Sequence, residues 1–188
     1  MVFECLADHH DREGFSCGVR ELDEYLHKYA RQNARKGMAA VFVLVPEASS
    51  RTILGFYTLS ATAVDAGTLP KEFLKKLPRY QHLPATLIGR LARSLGTPGR
   101  GIGEKLLINA LRRSAEKSAI IGSLAVVVDA KNDEAKKWYL KYGFRELKGH
   151  PHRLYLPMQS IKDHLRGETA EGKAHQAGRD RRSGKSNN

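Results

Sequence analysis

Four stretches of the chain predict helices, and in two of them apolar residues recur at helical spacing. The first stretch has the clearest stripe, and Gly37 follows it as a residue suited to end a helix. That stripe consists of Leu22, Tyr25, Leu26, Tyr29 and Ala30. The predicted helices are Val19–Lys36, Thr68–Lys76, Gly101–Lys117 and Asn132–Lys141. Asn132 suits the N-cap of the last helix, and Gly143 suits its end.

Between these helices lie apolar, β-branched runs of the length typical of strands. One of them, Ser123–Asp129, is continuously apolar and therefore predicts a strand buried on both faces. The other predicted strands are Val2–Ala7, Ala39–Val45, Thr52–Ser60, Thr86–Ala92 and Arg153–Met158, of which the second and third form a hairpin. This order predicts an α/β (α+β mixed) fold with a mixed sheet flanked by helices.

The composition changes near Gly167, where large apolar residues disappear from the sequence. We expect one folded domain over 1–166 and a basic, disordered tail over 167–188, because such a tail cannot bury enough apolar surface to fold. The chain has a formal net charge of +12. The tail holds five basic and three acidic residues, so ten of these charges belong to the domain. A basic domain favours an anionic partner such as nucleic acid.

Other classes of protein find little support in the sequence. No apolar run is long enough to span a membrane, and no secretory signal is recognisable, so we expect a reduced, cytoplasmic location. Cys5 and Cys17 form no metal-binding pattern, and the eight histidines show no ligand spacing. His9 and His10 are expected to be solvated in a loop. The sequence therefore predicts no metal site.

Three glycines, Gly99, Gly101 and Gly103, lie at alternate positions after a predicted strand and into the start of the long helix. Glycines let a backbone approach a ligand closely, and a helix N-terminus attracts anions, so this loop suits phosphates. It is not a P-loop, because Glu104 and Lys105 follow Gly103 in place of Lys and Ser or Thr. Its G-x-G-x-G spacing also differs from the dinucleotide-binding fingerprint.

The segment Arg100-Gly101-Ile102-Gly103 resembles the acyl-CoA pyrophosphate loop of the GNAT N-acetyltransferases. Several other segments, in order along 15–158, resemble the GNAT toxins of bacterial toxin–antitoxin modules. These segments are Phe15-Ser16-Cys17-Gly18, Leu22-Asp23-Glu24-Tyr25-Leu26, Gly55-Phe56-Tyr57-Thr58-Leu59-Ser60, Gly89-Arg90-Leu91-Ala92, Val127-Val128-Asp129-Ala130 and Leu154-Tyr155-Leu156-Pro157-Met158.

This resemblance implies a fold, a reaction and partners. The fold is a central mixed, mostly antiparallel sheet flanked by helices. The reaction transfers an acetyl group from acetyl-CoA to the α-amino group of aminoacyl-tRNA, which blocks translation. The expected partner is a ribbon-helix-helix antitoxin, and a homodimer is left open. Residues implied in cofactor binding are Leu91, Ala92, Arg93, Gly99, Arg100, Gly101, Ile102, Gly103, Glu104 and Asn132. Pro98 departs from the family pattern and removes one N–H from the loop.

Acetyl transfer to an α-amino group needs no strong base, because such amines have a pKa near ~8 and are partly neutral in the cell. Backbone N–H groups at Leu91–Arg93 are expected to polarise the thioester oxygen. By the resemblance, Tyr139 is the general acid that protonates the leaving thiolate. Tyr142 is its rival and is expected to pack beside Phe144. Asp129 is interpreted as a strand-end residue, with action through a water molecule as the alternative.

Basic residues on the predicted first helix are candidates for tRNA binding. Lys28, Arg31 and Arg35 lie opposite the apolar stripe, and Lys36 follows them. Together with Lys71, Lys75 and Lys76 of the next predicted helix, they are expected to hold phosphates, unless they form only a solvated face. Arg90 could pair with an acid or touch the substrate.

Two other functions compete with the toxin hypothesis. A GNAT enzyme of a different kind would acetylate a protein N-terminus, a polyamine or a drug amine. The net positive charge opposes a polycationic acceptor. A non-enzymatic nucleic-acid binder would have no use for the glycine loop or Tyr139, and the sequence shows no helix-turn-helix or RNA-binding module.

Overall fold

The computed structural model describes residues 1–75 and 77–167. The strands are β1 (Val2–Cys5), β2 (Ala40–Val45), β3 (Gly55–Asp65), β4 (His82–Arg93), β5 (Ala125–Asp129), β6 (Arg145–Leu147) and β7 (His150–Pro157). The helices are α1 (Arg20–Glu24), a π-helical turn (Tyr25–Tyr29), α2 (Ala30–Arg35), a 3-10 turn (Ala66–Thr68), α3 (Lys71–Leu74), α4 (Ile102–Ile121) and α5 (Asp133–Lys141). Residues 158–167 are also helical.

Within the described residues, seven strands form one sheet in the order β1-β2-β3-β4-β5-β7-β6. Every neighbouring pair is antiparallel except β4 and β5, which are parallel. The predicted mixed, mostly antiparallel sheet with flanking helices is therefore confirmed. The predicted hairpin is also confirmed, since β2 and β3 pair from Ala40 with Leu59 to Leu44 with Gly55.

Helices cover both faces of the sheet. One face packs against α4 and α5 in a core that includes Leu106, Leu107, Val126 and Val128. On the opposite face, α1 and α2 cover β2 and β3 through Leu26 and other residues, and a separate cluster near α3 covers β5 and β7. The predicted double burial of β5 is confirmed, since its residues 125–128 are buried.

The first predicted helix is present, but it is not a regular α-helix. A π-helical turn over Tyr25–Tyr29 interrupts it, and this wider turn shifts the positions that follow. Tyr25, Leu26 and Ala30 are buried as the stripe predicted, whereas Tyr29 is 48% exposed. The prediction for Tyr29 was wrong because a regular 3.6-residue period was assumed. Gly37 ends the helix with φ 68°, as predicted.

Other differences concern the ends of elements. The predictions for β3 and β4 were too short, because these strands pair with each other from Gly55 with Arg93 to Asp65 with His82. Strand β7 begins earlier than predicted. The short strand β6 and the helical residues 158–167 were not predicted. Most of the predicted tail, residues 168–188, lies outside the described residues, as does Lys76.

Candidate active site

The two parallel strands in the middle of the sheet part from one another. Their pairing runs from Thr86 with Val126 to Ile88 with Val128, although β4 continues to Arg93. At Gly89 the register with β3 also shifts, so Gly89 has no partner on that strand. A bulge of this kind bends a strand and increases its twist. The backbone beyond Gly89 on the β5 side is thus left facing a cleft.

This cleft has a volume of about 950 Å³ and gathers most of the residues predicted for the cofactor and the chemistry. Those that line it are Arg90, Leu91, Arg93, Gly99, Gly101, Ile102, Gly103, Glu104, Asn132 and Tyr139. They come from β4, the glycine loop, the start of α4, and α5 with the loop before it. The chain fold thus brings together residues that lie up to 49 positions apart in the sequence.

The glycine loop fits a pyrophosphate. Gly99 and Gly101 have φ 69° and 63°, and a Cβ added at either would meet nothing within 4 Å. Gly101 is also the N-cap of α4 and offers no side-chain cap, so the N–H groups of the first turn are free for an anion. The first backbone bond of the helix runs from the N–H of Lys105 to the carbonyl of Gly101, at 3.0 Å. Acetyl-CoA, whose pyrophosphate is dianionic, suits this cradle of N–H groups.

Tyr139 is buried on α5 at the wall of the cleft, with 8% of its surface exposed. Its ring makes edge contacts with Trp138 and Phe144, at centroid distances of 4.9 and 5.3 Å. None of the described residues hydrogen-bonds its hydroxyl. Burial raises the pKa of Tyr139 to about 12. The hydroxyl therefore keeps its proton at neutral pH and is free to donate it to a group in the cleft.

Two neighbours of Tyr139 clarify the sequence hypotheses. The Tyr142 ring packs against Trp138, with 5.0 Å between the ring centroids, and it lines the cleft. The ring that contacts Phe144 is that of Tyr139, so the prediction that Tyr142 packs there was wrong. Asn132 is the predicted N-cap of α5, and its Oδ1 accepts the N–H of Ala135 at 2.9 Å. Because Asn132 also lines the cleft, a second role toward the cofactor stays a prediction.

The opposite wall of the cleft contains residues that the sequence analysis missed. Val19, Glu21 and Leu22 enter it from α1 and the residue before it, and Lys131 faces them from the β5–α5 loop. An ion pair of 3.4 Å joins Lys131 to Glu21 across 110 positions of sequence. No local pattern could have signalled this contact. Trp138 could have been found, because it stands next to Tyr139 in the same helix.

Arg90 lies in this cleft in an arrangement that neither sequence hypothesis described. Its Cζ is 3.6 Å from the centre of the Tyr25 ring, which is a cation–π contact. Tyr25 is itself buried and stacks on Phe56. The pairing of Arg90 with an acid, one of the two hypotheses, is not present among the described residues.

Several predicted site residues lie outside the cleft. Ala92 is buried on the other face of β4 in the core with Phe56, and Arg100 is exposed and is not among the residues that line the cleft. Asp129, in contrast, lines the cleft. Its carboxylate pairs with Arg153 at 3.1 Å, which agrees with its interpretation as a strand-end residue.

The basic residues of α2 and the π-turn are on the outer surface. Arg31 and Arg35 both pair with the carboxylate of Asp8, and Lys28 pairs with Glu24 at 2.9 Å. Lys36 is exposed just beyond α2. Lys71 is exposed on α3, Lys75 is exposed directly after it, and Lys76 lies outside the described residues. Their roles in tRNA binding stay a prediction.

A second polar cluster lies far along the sheet, at β1. Glu4, His9 and His10 bring their ligand atoms within 4.8 Å of one another. His10 is buried, contrary to the prediction that it is solvated. Its Nδ1 accepts the N–H of Ala7 at 2.9 Å, so in the neutral ring Nε2 carries the proton and donates it to Glu4. A ligating nitrogen must be unprotonated, so this hydrogen bond favours a structural role for His10.

A mixed sheet whose central parallel strands part beside a glycine loop and a buried tyrosine defines an acetyltransferase of the GNAT class. No protein-family model matches the chain. It is 31% identical to the probable toxin TacT of Sinorhizobium fredii over 81% of this chain and 88% of the relative. It is also 31% identical to the tRNA-acetylating toxin of Mycobacterium tuberculosis over 84% of this chain and 92% of that one. The chain belongs to the family of GNAT-type toxins of toxin–antitoxin systems.

Solved structures of two toxins have the same fold as this chain. A tyrosine-to-phenylalanine variant of KacT superposes with a TM-score of 0.80 at 32% identity, covering 86% of this chain and 97% of KacT. AtaT complexed with acetyl-methionyl-tRNAfMet gives a TM-score of 0.81 at 28% identity, covering 87% of this chain and 98% of AtaT. AtaTR bound with AcCoA gives a TM-score of 0.76 at 27% identity, covering 87% of this chain and 97% of that one. An AtaT variant bound to the C-terminus of the antitoxin AtaR gives a TM-score of 0.74 at 26% identity, covering 86% of this chain and 95% of that one.

No helix among residues 1–75 and 77–167 has both the length and the apolar content that crossing a bilayer would take.

Proposed function

We propose that this protein is a toxin that transfers the acetyl group of acetyl-CoA to the α-amino group of aminoacyl-tRNA and so blocks translation. The observation that carries the proposal is the cleft that the glycine loop, the diverging strand β4 and Tyr139 line together. Relatives described as tRNA-acetylating, and AtaT solved with its acetylated tRNA, support the choice of acceptor. The reaction belongs to the cytoplasm, where charged tRNA is found.

Backbone groups of the chain supply two functions to this reaction. Backbone N–H groups of the glycine loop and of the first turn of α4 bind the pyrophosphate. The β4 backbone at Leu91–Arg93, which β5 leaves unpaired, donates hydrogen bonds to the carbonyl oxygen that becomes negative as the amine attacks. Bound acetyl-CoA supplies the activated acetyl thioester.

Tyr139 completes the proton transfers. Its hydroxyl protonates the sulfur as the carbon–sulfur bond breaks, and the proton lost by the attacking nitrogen restores the hydroxyl. With its pKa raised to about 12, Tyr139 is protonated at neutral pH and therefore cannot take a proton from an ammonium group. The acceptor must therefore arrive as a neutral amine, which favours an α-amino group of pKa near ~8 over a lysine near ~10.4.

Labelled acetyl-CoA tests the proposed function directly. We expect label in charged tRNA, and none in uncharged tRNA, spermidine or a peptide with a free N-terminus. Label in the peptide or in spermidine with none in charged tRNA would instead support a GNAT enzyme of another kind. Arrest of bacterial growth on expression, absent for Tyr139→Phe, is the expected cellular result.

The proposal includes partners. A ribbon-helix-helix antitoxin is expected to copurify with the toxin and to abolish the growth arrest, as the complex of AtaT with the C-terminus of AtaR supports for the general type of partner. A homodimer is part of the same proposal, and the mass in solution by light scattering measures it.

A further inference from the structure

The Arg90 side chain is held rigidly although it lies in an open cleft. Its guanidinium rests on the Tyr25 ring, 3.6 Å from the ring centre. Tyr25 is 3% exposed and stacks on Phe56 with 18° between the ring planes. The π-helical turn begins at Tyr25, so the irregular part of the first helix places this ring. A guanidinium fixed by stacking loses less conformational freedom when it binds a ligand.

The hydrogen-bonding edge of this guanidinium is unused. Arg90 forms no ion pair or hydrogen bond with any described residue, unlike Arg31, Arg35 and Arg153, which pair with carboxylates. A stacked guanidinium still presents its N–H donors in the plane of the group, and this fork matches the oxygens of a phosphate. The cleft thus contains a preformed anion site besides the glycine loop.

Arg90 belongs to the face of the sheet that the glycine loop does not occupy. Leu91 and Ile88 pack in the core with α4, whereas Arg90 packs on Tyr25 in the core under α1 and α2. The acetyl donor held at the start of α4 leaves this second face for the acceptor. Along an aminoacyl-tRNA, the anion nearest to the reacting amine is the phosphate of the terminal nucleotide.

We infer that Arg90, positioned by Tyr25, binds the phosphate of the terminal nucleotide of the acceptor and so fixes the aminoacyl amine opposite Tyr139. The inference rests on the proposed function, since it requires a charged tRNA as the acceptor. Arg90 contributes to affinity and orientation, whereas Tyr139 acts in the proton transfer.

The test compares kcat/KM for charged tRNA with kcat/KM for glycinamide, which has no phosphate, at several salt concentrations. We expect Arg90→Gln to lower the ratio of the two by about 10- to 100-fold, the effect of losing a charge-assisted pair. The slope of log kcat/KM against log salt should become shallower by about 0.7, the value for one phosphate of a single strand. Arg145→Gln, on the edge strand β6, is the matched control and should change neither quantity.

Three further variants and one binding assay keep the test decisive. Arg90→Lys should retain the salt slope but lower the ratio about tenfold, because an ammonium group lacks the fork. Tyr25→Leu should lower the ratio, and Tyr25→Phe should restore it because the ring remains. A rise in melting temperature with acetyl-CoA shows that each variant is folded. If Arg90→Gln does not fold, Arg90→Lys carries the comparison.

The outcomes separate the two proposals. A wild-type protein that labels no charged tRNA overturns the proposed function and this inference together. A wild type that labels charged tRNA, with Arg90→Gln unchanged in ratio and slope, overturns the inference alone. A lower ratio with an unchanged salt slope also overturns it, because Arg90 would then contact an uncharged part of the acceptor.

Discussion

At the scale of single residues, Tyr139 carries the most specific chemical prediction. We expect Tyr139→Phe to fold and to bind acetyl-CoA, and to lose roughly 10²- to 10⁴-fold in turnover, the usual contribution of one general acid. The ring contacts with Trp138 and Phe144 are kept in this variant. Single-turnover acetylation and acetyl-CoA thermal shift measure the two properties. Full turnover in the variant would exclude Tyr139 from the proton transfer.

The raised pKa of Tyr139 also predicts the pH dependence of the rate. Burial favours the neutral phenol, and with a pKa of about 12 the hydroxyl stays protonated at every pH below about 10. The rate should therefore rise with pH as the acceptor amine loses its proton, and then level off. An amide-linked aminoacyl-RNA avoids hydrolysis of the ester during the measurement. A fall in rate between pH 8 and 10 that disappears in Tyr139→Phe would contradict this prediction.

His10 predicts a pH dependence of stability. Burial, with a smaller effect of His9, lowers the pKa of His10 below its unfolded value near 6.5. The unfolded state therefore binds a proton first, so the free energy of unfolding is highest above pH 6.5 and falls as the pH drops through that value. We expect urea midpoints to fall between pH 7 and 5.5 for the wild type and for the exposed control His150→Gln. His10→Gln should show a smaller fall, and an equal fall would assign the effect to other groups.

At the scale of elements, the glycine loop with the start of α4 predicts a charge-specific defect. Gly101→Asp and Gly101→Asn place side chains of equal size at the same left-handed position, where neither meets another atom within 4 Å of its Cβ. Only the aspartate adds a negative charge beside the pyrophosphate. We expect acetyl-CoA to bind the Asp variant at least tenfold more weakly than the Asn variant, measured by calorimetry. Equal affinities would show that the pyrophosphate lies elsewhere.

Local elements of this fold could be predicted from the sequence, and long-range ones could not. The Asn132 cap of α5 and the glycine loop are each encoded by a few neighbouring residues. The Glu21–Lys131 ion pair and the cation–π contact of Arg90 with Tyr25 depend on elements that meet only in the folded protein. The π-helical turn also escaped prediction, because a stripe of apolar residues does not reveal one wider turn. Strand β6 is only three residues long and carries little pattern.

At the scale of the whole molecule, the net charge of +12 predicts an electrostatic contribution to binding of the proposed tRNA acceptor. Asp8 neutralises part of the basic surface on α2, since Arg31 and Arg35 both pair with it. We expect Arg31→Gln with Arg35→Gln to weaken tRNA binding about 3- to 10-fold and to reduce its salt dependence. Asp8→Asn should have the opposite effect, strengthening tRNA binding and increasing its salt dependence. Filter binding at several salt concentrations measures them, and equal signs for the two variants would contradict the phosphate role of this surface.

The parting of β4 from β5 has a pharmacological consequence. Because the two strands part there, one cleft is lined both by the start of α4, where we propose the donor site, and by Arg90, on the face that we propose for the acceptor. A single molecule that links coenzyme A through its sulfur to an aminoacyl nucleotide would thread the opening and occupy both sites. Tethering makes the second binding event intramolecular, so such a conjugate gains affinity beyond that of either half. The break in one sheet is thereby a point of attack for inhibitors of this toxin.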